Sequence, residues 1–243
     1  MQIITVAVQK GGTGKTVTAA SLAQAAQYRN RKVLAIDLDP QGNLSYTLAA
    51  DMARPNSYDL LTGSRPAAEC IQSALELIHV IPASWNLSTI TSKRGSARRL
   101  QAAITPIKDD YDLIVIDTPP TAGELQYNAL QAATGLIIPL QADIYNLQSL
   151  YQISDTARQI QASNPALQIL GFILTQYDPR STISRQMQAT ITQQAAAMGI
   201  PYLGATRAAV AVKEAAALQQ SLFKYAPKSK PAADYLAIFD KLF

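Results

Sequence analysis

The 243 residues contain one cysteine, one histidine and one tryptophan. A lone thiol, Cys70, excludes an internal disulfide and any metal cluster built on cysteines. The lone imidazole, His79, sits inside an apolar run and reads as a packed core or edge residue rather than a catalytic base. Cys70 and Trp85 read as packing. No apolar run reaches the roughly 20 residues that a membrane-spanning helix needs. The opening MQIITVAVQK lacks the basic start and small-residue cleavage site of a secretion signal. A cytoplasmic protein is the expectation. With no low-complexity linker and no internal repeat, one domain over residues 1–243 is expected.

Charge is sparse and uneven. Charged residues make up 16% of the chain, and the formal net charge is +4. Residues 1–143 carry 12 basic and 12 acidic side chains, whereas residues 144–243 carry 9 and 5, so the whole excess lies in the second part. Between Thr156 and Ala233 stand Arg158, Arg180, Arg185, Arg207, Lys213, Lys224, Lys228 and Lys230, against Asp178 and Glu214 only. That part suits a polyanion partner, or else forms a solvated surface. A second basic cluster, Lys93, Arg94, Arg98 and Arg99, has the same two readings.

Short apolar runs are what the chain has in quantity: Ile3–Val8, Val33–Ile36, His79–Ile81, Leu113–Ile116, Leu136–Leu140, Ile169–Leu174 and Tyr202–Leu203. Continuous runs of this length suit strands buried on both faces. Between them lie segments with helical spacing: Thr16–Tyr28, Ser96–Ile107, Ser149–Ala162, Ile183–Met198 and Lys213–Ser221. Alternation of the two predicts an α/β fold, a doubly wound and mostly parallel sheet with helices on both faces. Ala53–Arg65, with its Pro, Asn, Ser and Gly, reads as a surface loop. In such folds ligands bind beyond the carboxyl ends of the strands.

The first strand runs into VQKGGTGKTV, Val8 to Val17, and then a helix. Strand, glycine loop and helix together make a phosphate-binding P-loop. Gly11, Gly12 and Gly14 let backbone N–H groups turn inward on phosphate oxygens, and the helix N-terminus adds partial positive charge. Lys15 is placed to bridge the β- and γ-phosphates, and the Thr16 hydroxyl to bind Mg²⁺. Two further strands end in carboxylates. VLAIDLDPQGN supplies Asp37 and Asp39, which point the same way in an extended chain. YDLIVIDTPP supplies Asp117 in the Walker B manner, from a buried strand into the Mg²⁺ shell. Where the usual P-loop has a glycine stands Gln9, and beside it an additional lysine, Lys10.

KGGTGKT, DLDPQGN and IDTPP, in this order, resemble the ParA/MinD-type deviant Walker ATPases. Asn128–Leu130, Leu174–Met187 and Val212–Leu236 resemble the ParA/Soj branch, which partitions plasmids and chromosomes, and the resemblance covers nearly the whole chain. It implies ATP and Mg²⁺ as cofactors. It implies a nucleotide site of Lys10, Gly11, Gly12, Thr13, Gly14, Lys15, Thr16 and Val17, with Pro227 from the C-terminal stretch. Lys10 corresponds to the family's signature lysine, which reaches across an ATP-bound homodimer to the partner's phosphates. Asp39 corresponds to the water-positioning carboxylate, and Thr16, Asp37 and Asp117 to the Mg²⁺ side. The catalytic set is therefore Lys10, Lys15 and Asp39. Further implications are non-specific DNA binding, a ParB-like centromere-binding partner that stimulates slow hydrolysis, and nucleoid association in the ATP state. Candidate DNA contacts are Arg185, Arg207, Lys213, Lys224, Lys228 and Lys230.

Some positions depart from the family pattern. Thr13 replaces a frequent valine and Val17 a frequent threonine, and spacing over Arg207–Glu214 differs by one residue. The sequence also starts directly at the first strand, without the operator-reading segment of longer relatives, so a repressor role is not expected. A MinD-like membrane-surface switch is the alternative. The C-terminal YLAIFDKLF offers it one lysine, Lys241, against Asp234 and Asp240, whereas a membrane-lying helix wants several basic residues. That segment is expected to dock on the fold, with no membrane partner. Metal-handling relatives use clustered thiolates, which one cysteine does not supply.

Overall fold

The computed structural model describes residues 1–90 and 96–243. Lys93 and Arg94 of the basic cluster therefore lie outside the described residues. Among the described residues eight strands form one sheet: β1 (Gln2–Val6), β2 (Val33–Asp37), β3 (Gln72–Ser73), β4 (His79–Ile81), β5 (Leu113–Asp117), β6 (Gly135–Leu140), β7 (Gln168–Tyr177) and β8 (Tyr202–Arg207). Their order is β3-β4-β2-β5-β1-β6-β7-β8. Every pairing is parallel except β3 with β4.

Two cores show why this sheet is covered on both faces. Ile3 of β1 belongs to a core that also holds Leu60, Leu100, Leu125, Ile153 and Ile191. Its neighbour Ile4 belongs to a second core, with Leu22, Leu44, Phe223 and Tyr235, on the other face. Successive strand residues point to opposite faces, so a run that is apolar throughout needs helices on both sides. On the second face lie α1 (Lys15–Tyr28), α2 (Asn43–Thr47), α9 (Val210–Ala217), α10 (Leu222–Tyr225) and α11 (Lys230–Leu242). The first face holds α3 (Ser57–Thr62), α4 (Ala67–Cys70), α5 (Arg99–Ile104), α6 (Glu124–Ala132), α7 (Tyr145–Gln161) and α8 (Thr182–Ala197).

The seven expected strands are present. The eighth, β3, is two residues long and too short to leave a periodic signal. Ala53–Arg65 is corrected: it contains α3. Asn56 accepts from the Tyr58 N–H at 3.0 Å while Asp59 accepts from the Asn56 N–H at 3.1 Å, a capping box closed by buried Leu60 and Leu61. Trp85 is also corrected, being 69% exposed. Cys70 is buried, and half-buried His79 accepts from or donates to the Tyr111 hydroxyl at 2.7 Å. The helix expected over Ser96–Ile107 is a short turn followed by α5, and that over Lys213–Ser221 starts earlier and stops at Ala217.

α11 docks as expected. Tyr235, Ile238 and Phe239 are buried against α1 and β8, and Asp240 accepts from Arg29 Nε at 3.0 Å. Among the described residues no helix is long and apolar enough to cross a membrane. Phe239→Ala removes most of an aromatic side chain from this seam. The expected loss is about 3–5 kcal/mol of unfolding free energy in urea; a loss below about 1 kcal/mol would show α11 to be peripheral.

Candidate nucleotide site

Register creates the site. On β1, Val6 pairs with Asp117 of β5, and Asp117 pairs with Asp37 of β2. Three central strands thus end level, with two carboxylates side by side and the 9–14 loop turning above them. The loop is held from behind. Gln141 Nε2 donates to the Gly12 carbonyl at 2.9 Å, and Thr175 Oγ1 donates to the Thr13 carbonyl at 2.7 Å. Gly14 caps α1 at φ +84°, a left-handed conformation, and an added Cβ would lie 3.2 Å from Thr175 Cγ2. Glycine is required there on both counts. Gly12, at φ +73°, faces open space.

Lys15 is buried, and its ammonium donates to the Lys10 carbonyl at 2.8 Å. Burial lowers its pKa, while Asp117 and Asp39 act to raise it. Thr16 Oγ1 donates to Asp117 Oδ2 at 2.7 Å. Asp37 accepts from the Asp39 N–H at 3.0 Å, the Ser45 N–H at 2.8 Å and Ser45 Oγ at 2.7 Å. Asp39, nearly buried, accepts from the Gln41 N–H at 3.0 Å. Burial pushes Asp37 up to about 6, with Asp39 adding to the rise. Asp117 is pushed well above the usual carboxylate range by burial and then by the charge of Asp37.

This donor set fits Mg²⁺ beside phosphate. Among the described residues no group of three or more His, Cys, Asp or Glu side chains forms a metal centre by itself. Mg²⁺ takes one or two carboxylates and completes its shell with water and phosphate oxygens. Asp117, Asp37 and the Thr16 hydroxyl offer that, and a cation would offset the repulsion between the carboxylates.

Lys10 points elsewhere. Its ammonium lies 3.2 Å from both Asp143 oxygens and 5.7 Å from the Tyr145 ring centroid. Asp143 is itself held by the Asn146 N–H at 3.1 Å and Asn146 Nδ2 at 2.6 Å. The two ammonium groups thus have different partners, the loop's own backbone for Lys15 and Asp143 after β6 for Lys10. Gly11 is exposed at the tip and Thr13 is buried beneath it. Val17 lines a cavity of about 360 Å³ with Gly14, Thr175, Gln176, Thr206 and Tyr235. Pro227 is not brought there: it is exposed in the turn between α10 and α11, outside that lining.

The basic candidates differ in their surroundings. Arg207 is paired with Asp234, which accepts from its Nε at 2.9 Å. Lys213 is exposed on the cavity rim. Arg185 is exposed at the start of α8, with its guanidinium on the Pro179 carbonyl at 2.8 Å. Lys228 and Lys230 are exposed at the start of α11. Lys224 lies 3.8 Å from Glu76, beside Tyr28 at the far end of α1. That helix is about 20 Å long, so Lys224 is remote from the P-loop. Arg98 is exposed and donates to the Ser163 carbonyl at 3.1 Å.

Sequence reasoning missed Ser45, Gln141, Asp143, Thr175 and Gln176. Gln141 and Asp143 follow the apolar run of β6, so the strand-end rule itself points to them.

An AAA domain family model matches residues 1–169. The chromosome partitioning protein ParA of Myxococcus xanthus is 37% identical over 194 residues, 76% of this chain and 69% of that protein. The chain belongs to the ParA/MinD family of P-loop ATPases. Solved structures of similar fold include Mycobacterium smegmatis cobyrinic acid a,c-diamide synthase with bound ATP analogue and magnesium, 29% identical with a TM-score of 0.83 over 99% of this chain and 93% of that one. The septum site-determining protein MinD of Pyrococcus horikoshii, complexed with Mg-ADP, is 27% identical with a TM-score of 0.81 over 99% and 95%.

The raised carboxylates of this ATPase make its stability depend on pH. Folded-state values above the ordinary 3.8 mean that the folded chain holds protons which the unfolded chain releases. For Asp37 this contribution is complete below about 3.8 and is lost as pH rises through about 6, and the raised Asp117 acts in the same direction. Asp117→Asn removes one charge, and its amide still has Thr16 as a partner. Without nucleotide, this variant should be more stable than wild type at pH 8 by about 1–3 kcal/mol, with the gap closing toward pH 4. Thermal melts at both pH values check this; equal stability at pH 8 contradicts it.

Proposed function

We propose that this ATPase is a DNA-partitioning switch whose Mg·ATP form is a homodimer, binds DNA without sequence preference and is released when a ParB-like partner stimulates slow hydrolysis. The observation that carries the reading is the division of labour between the lysines. Lys15 is buried under the loop, where it would hold its own subunit's phosphates. Lys10 is partly exposed against Asp143, from where it would reach a facing subunit. The cradle of Gly11 to Thr16 would hold phosphates by its backbone N–H groups. The base has room in the cavity lined by Val17, Gln176 and Tyr235. Thr16, Asp37 and Asp117 would hold Mg²⁺, which would supply positive charge against the phosphate oxygens. Asp39, at the mouth of the same strand end, would orient the attacking water.

The ParA relative supports the partition reading. The MinD-like alternative asks for a free amphipathic C-terminal face, and that of α11 is packed on α1 and β8. Exposed Arg185, Lys213, Lys228 and Lys230 are the better DNA candidates. Arg207 is offset by Asp234, and Lys224 is distant. In this reading the protein is cytoplasmic and associates with the nucleoid when ATP-bound.

Lys10→Ala should bind nucleotide as wild type does but fail to form the ATP-dependent dimer. Light scattering with and without Mg·ATP checks this, and an unchanged dimer would remove the cross-subunit role.

DNA binding is measured with Asp39→Ala, expected to slow hydrolysis by about 10²–10⁴-fold and so preserve the ATP state. Random duplex DNA should bind only with ATP, with affinity falling steeply as salt rises. Lys213→Ala combined with Lys230→Ala should weaken binding equally on all sequences. Binding without nucleotide, or to anionic vesicles instead of DNA, would contradict the partition reading.

A further inference from the structure

Ser45 is fully buried on α2 and is bonded on two sides. Its Oγ donates to Asp37 Oδ2 at 2.7 Å and accepts from the Ala83 N–H at 2.8 Å. Its own N–H also donates to Asp37 Oδ2, at 2.8 Å. Ala83 belongs to the segment that follows β4, and that segment carries the only tryptophan. From Ala83 the chain passes Ser84, whose Oγ accepts from the Asn86 N–H at 3.2 Å, into a tight turn over Trp85–Thr89. Leu87 anchors this turn in the core, and Trp85 stands on the surface at 69% exposure.

The same turn meets the carboxylate loops a second time. Leu87, Ser88 and Ile90 wall a cavity of about 330 Å³ together with Pro40, the residue after Asp39, and Pro119, two residues after Asp117. The turn is thus joined to Asp37 by hydrogen bonds and shares a cavity wall with the chain beyond Asp39 and Asp117.

From this arrangement we propose that Ser45 is a positioning residue that couples Asp37 to the Trp85 segment, so that occupancy of the nucleotide site is expressed at the Trp85 surface. The inference rests on the Mg·ATP reading above. A hydroxyl has one proton to donate, and the Asp37 carboxylate fixes its direction. When Asp37 turns toward a cation, the Ser45 hydroxyl follows its acceptor. The Ala83 N–H is buried and has Ser45 Oγ as its acceptor, and an unpartnered buried donor is costly. Ala83 therefore moves with Ser45, and Trp85 lies two residues further on.

Because Trp85 is the only tryptophan, its fluorescence reads the coupling directly, without measuring turnover. Wild type, Ser45→Ala and Ser45→Thr are titrated with Mg²⁺ and a non-hydrolysable ATP analogue. Binding is followed separately, by displacement of a fluorescent nucleotide. The expected result is a shift of Trp85 emission on binding in wild type and Ser45→Thr. In Ser45→Ala the analogue should still bind, and the emission change should fall at least about two-fold, the hydrogen-bonded link having been removed. If thermal melts show Ser45→Ala unfolded, Ser45→Cys, close in volume and a weak donor, takes its place with the same expectation. An equal emission change in the variant lacking the hydroxyl overturns the coupling. So does a wild type that binds the analogue with no change at Trp85. A wild type that binds no nucleotide overturns the functional reading instead, and the coupling with it.

Discussion

Asp37 and Asp117 end adjacent parallel strands in register, and neither has any solvent exposure. Two like charges in that position repel, and burial raises the cost of each. The chain answers with several donors: the Ser45 N–H and hydroxyl and the Asp39 N–H on Asp37, and Thr16 and the Thr118 N–H on Asp117. These donors come from three segments at the carboxyl end of the sheet. The P-loop, the turn after β2 and the turn after β5 are therefore fixed relative to one another by the carboxylates they surround. A cation beside the two carboxylates would offset their repulsion.

The lysines follow the same logic at the loop's two sides. Lys15 is desolvated beneath the glycines and has backbone oxygen and two carboxylates for company. Lys10 is partly exposed, with Asp143 and Tyr145 as its surroundings. A half-solvated ion pair of this kind is worth little, about 1 kcal/mol or less. It orients Lys10 toward Asp143 without locking it.

Most of this was legible because strong local constraints carried it. Seven apolar runs became seven strands, since a parallel sheet covered on both faces leaves no room for alternation. The glycine loop and the strand-end aspartates were readable from spacing alone. Features that depend on tertiary contact were not. α3 hides in a Pro, Asn and Gly-containing stretch because two cap residues and two leucines define it. Trp85 reads as core by composition, yet it ends on the surface because Leu87 occupies the buried position of the same turn. The charge count over the second part of the chain was correct but silent about pairing, so the Asp234 partner of Arg207 and the distance of Lys224 emerged only in the fold. Asp143 and Ser45 gave no motif, since Lys10 and Ala83 come beside them only in the fold.

The central claim is that Lys10 acts on the other subunit's nucleotide, and subunit mixing tests it most directly. Lys10→Ala and Asp39→Ala chains are assayed for ATP turnover separately and then together. If Lys10 works across the dimer, the mixed dimer holds one complete site: the Lys10→Ala subunit keeps its own Asp39 and receives Lys10 from its partner. Turnover should then appear in the mixture that neither variant shows alone. If Lys10 works within its own chain, every site in the mixture lacks one residue, and a mixture as inactive as its components would contradict the account.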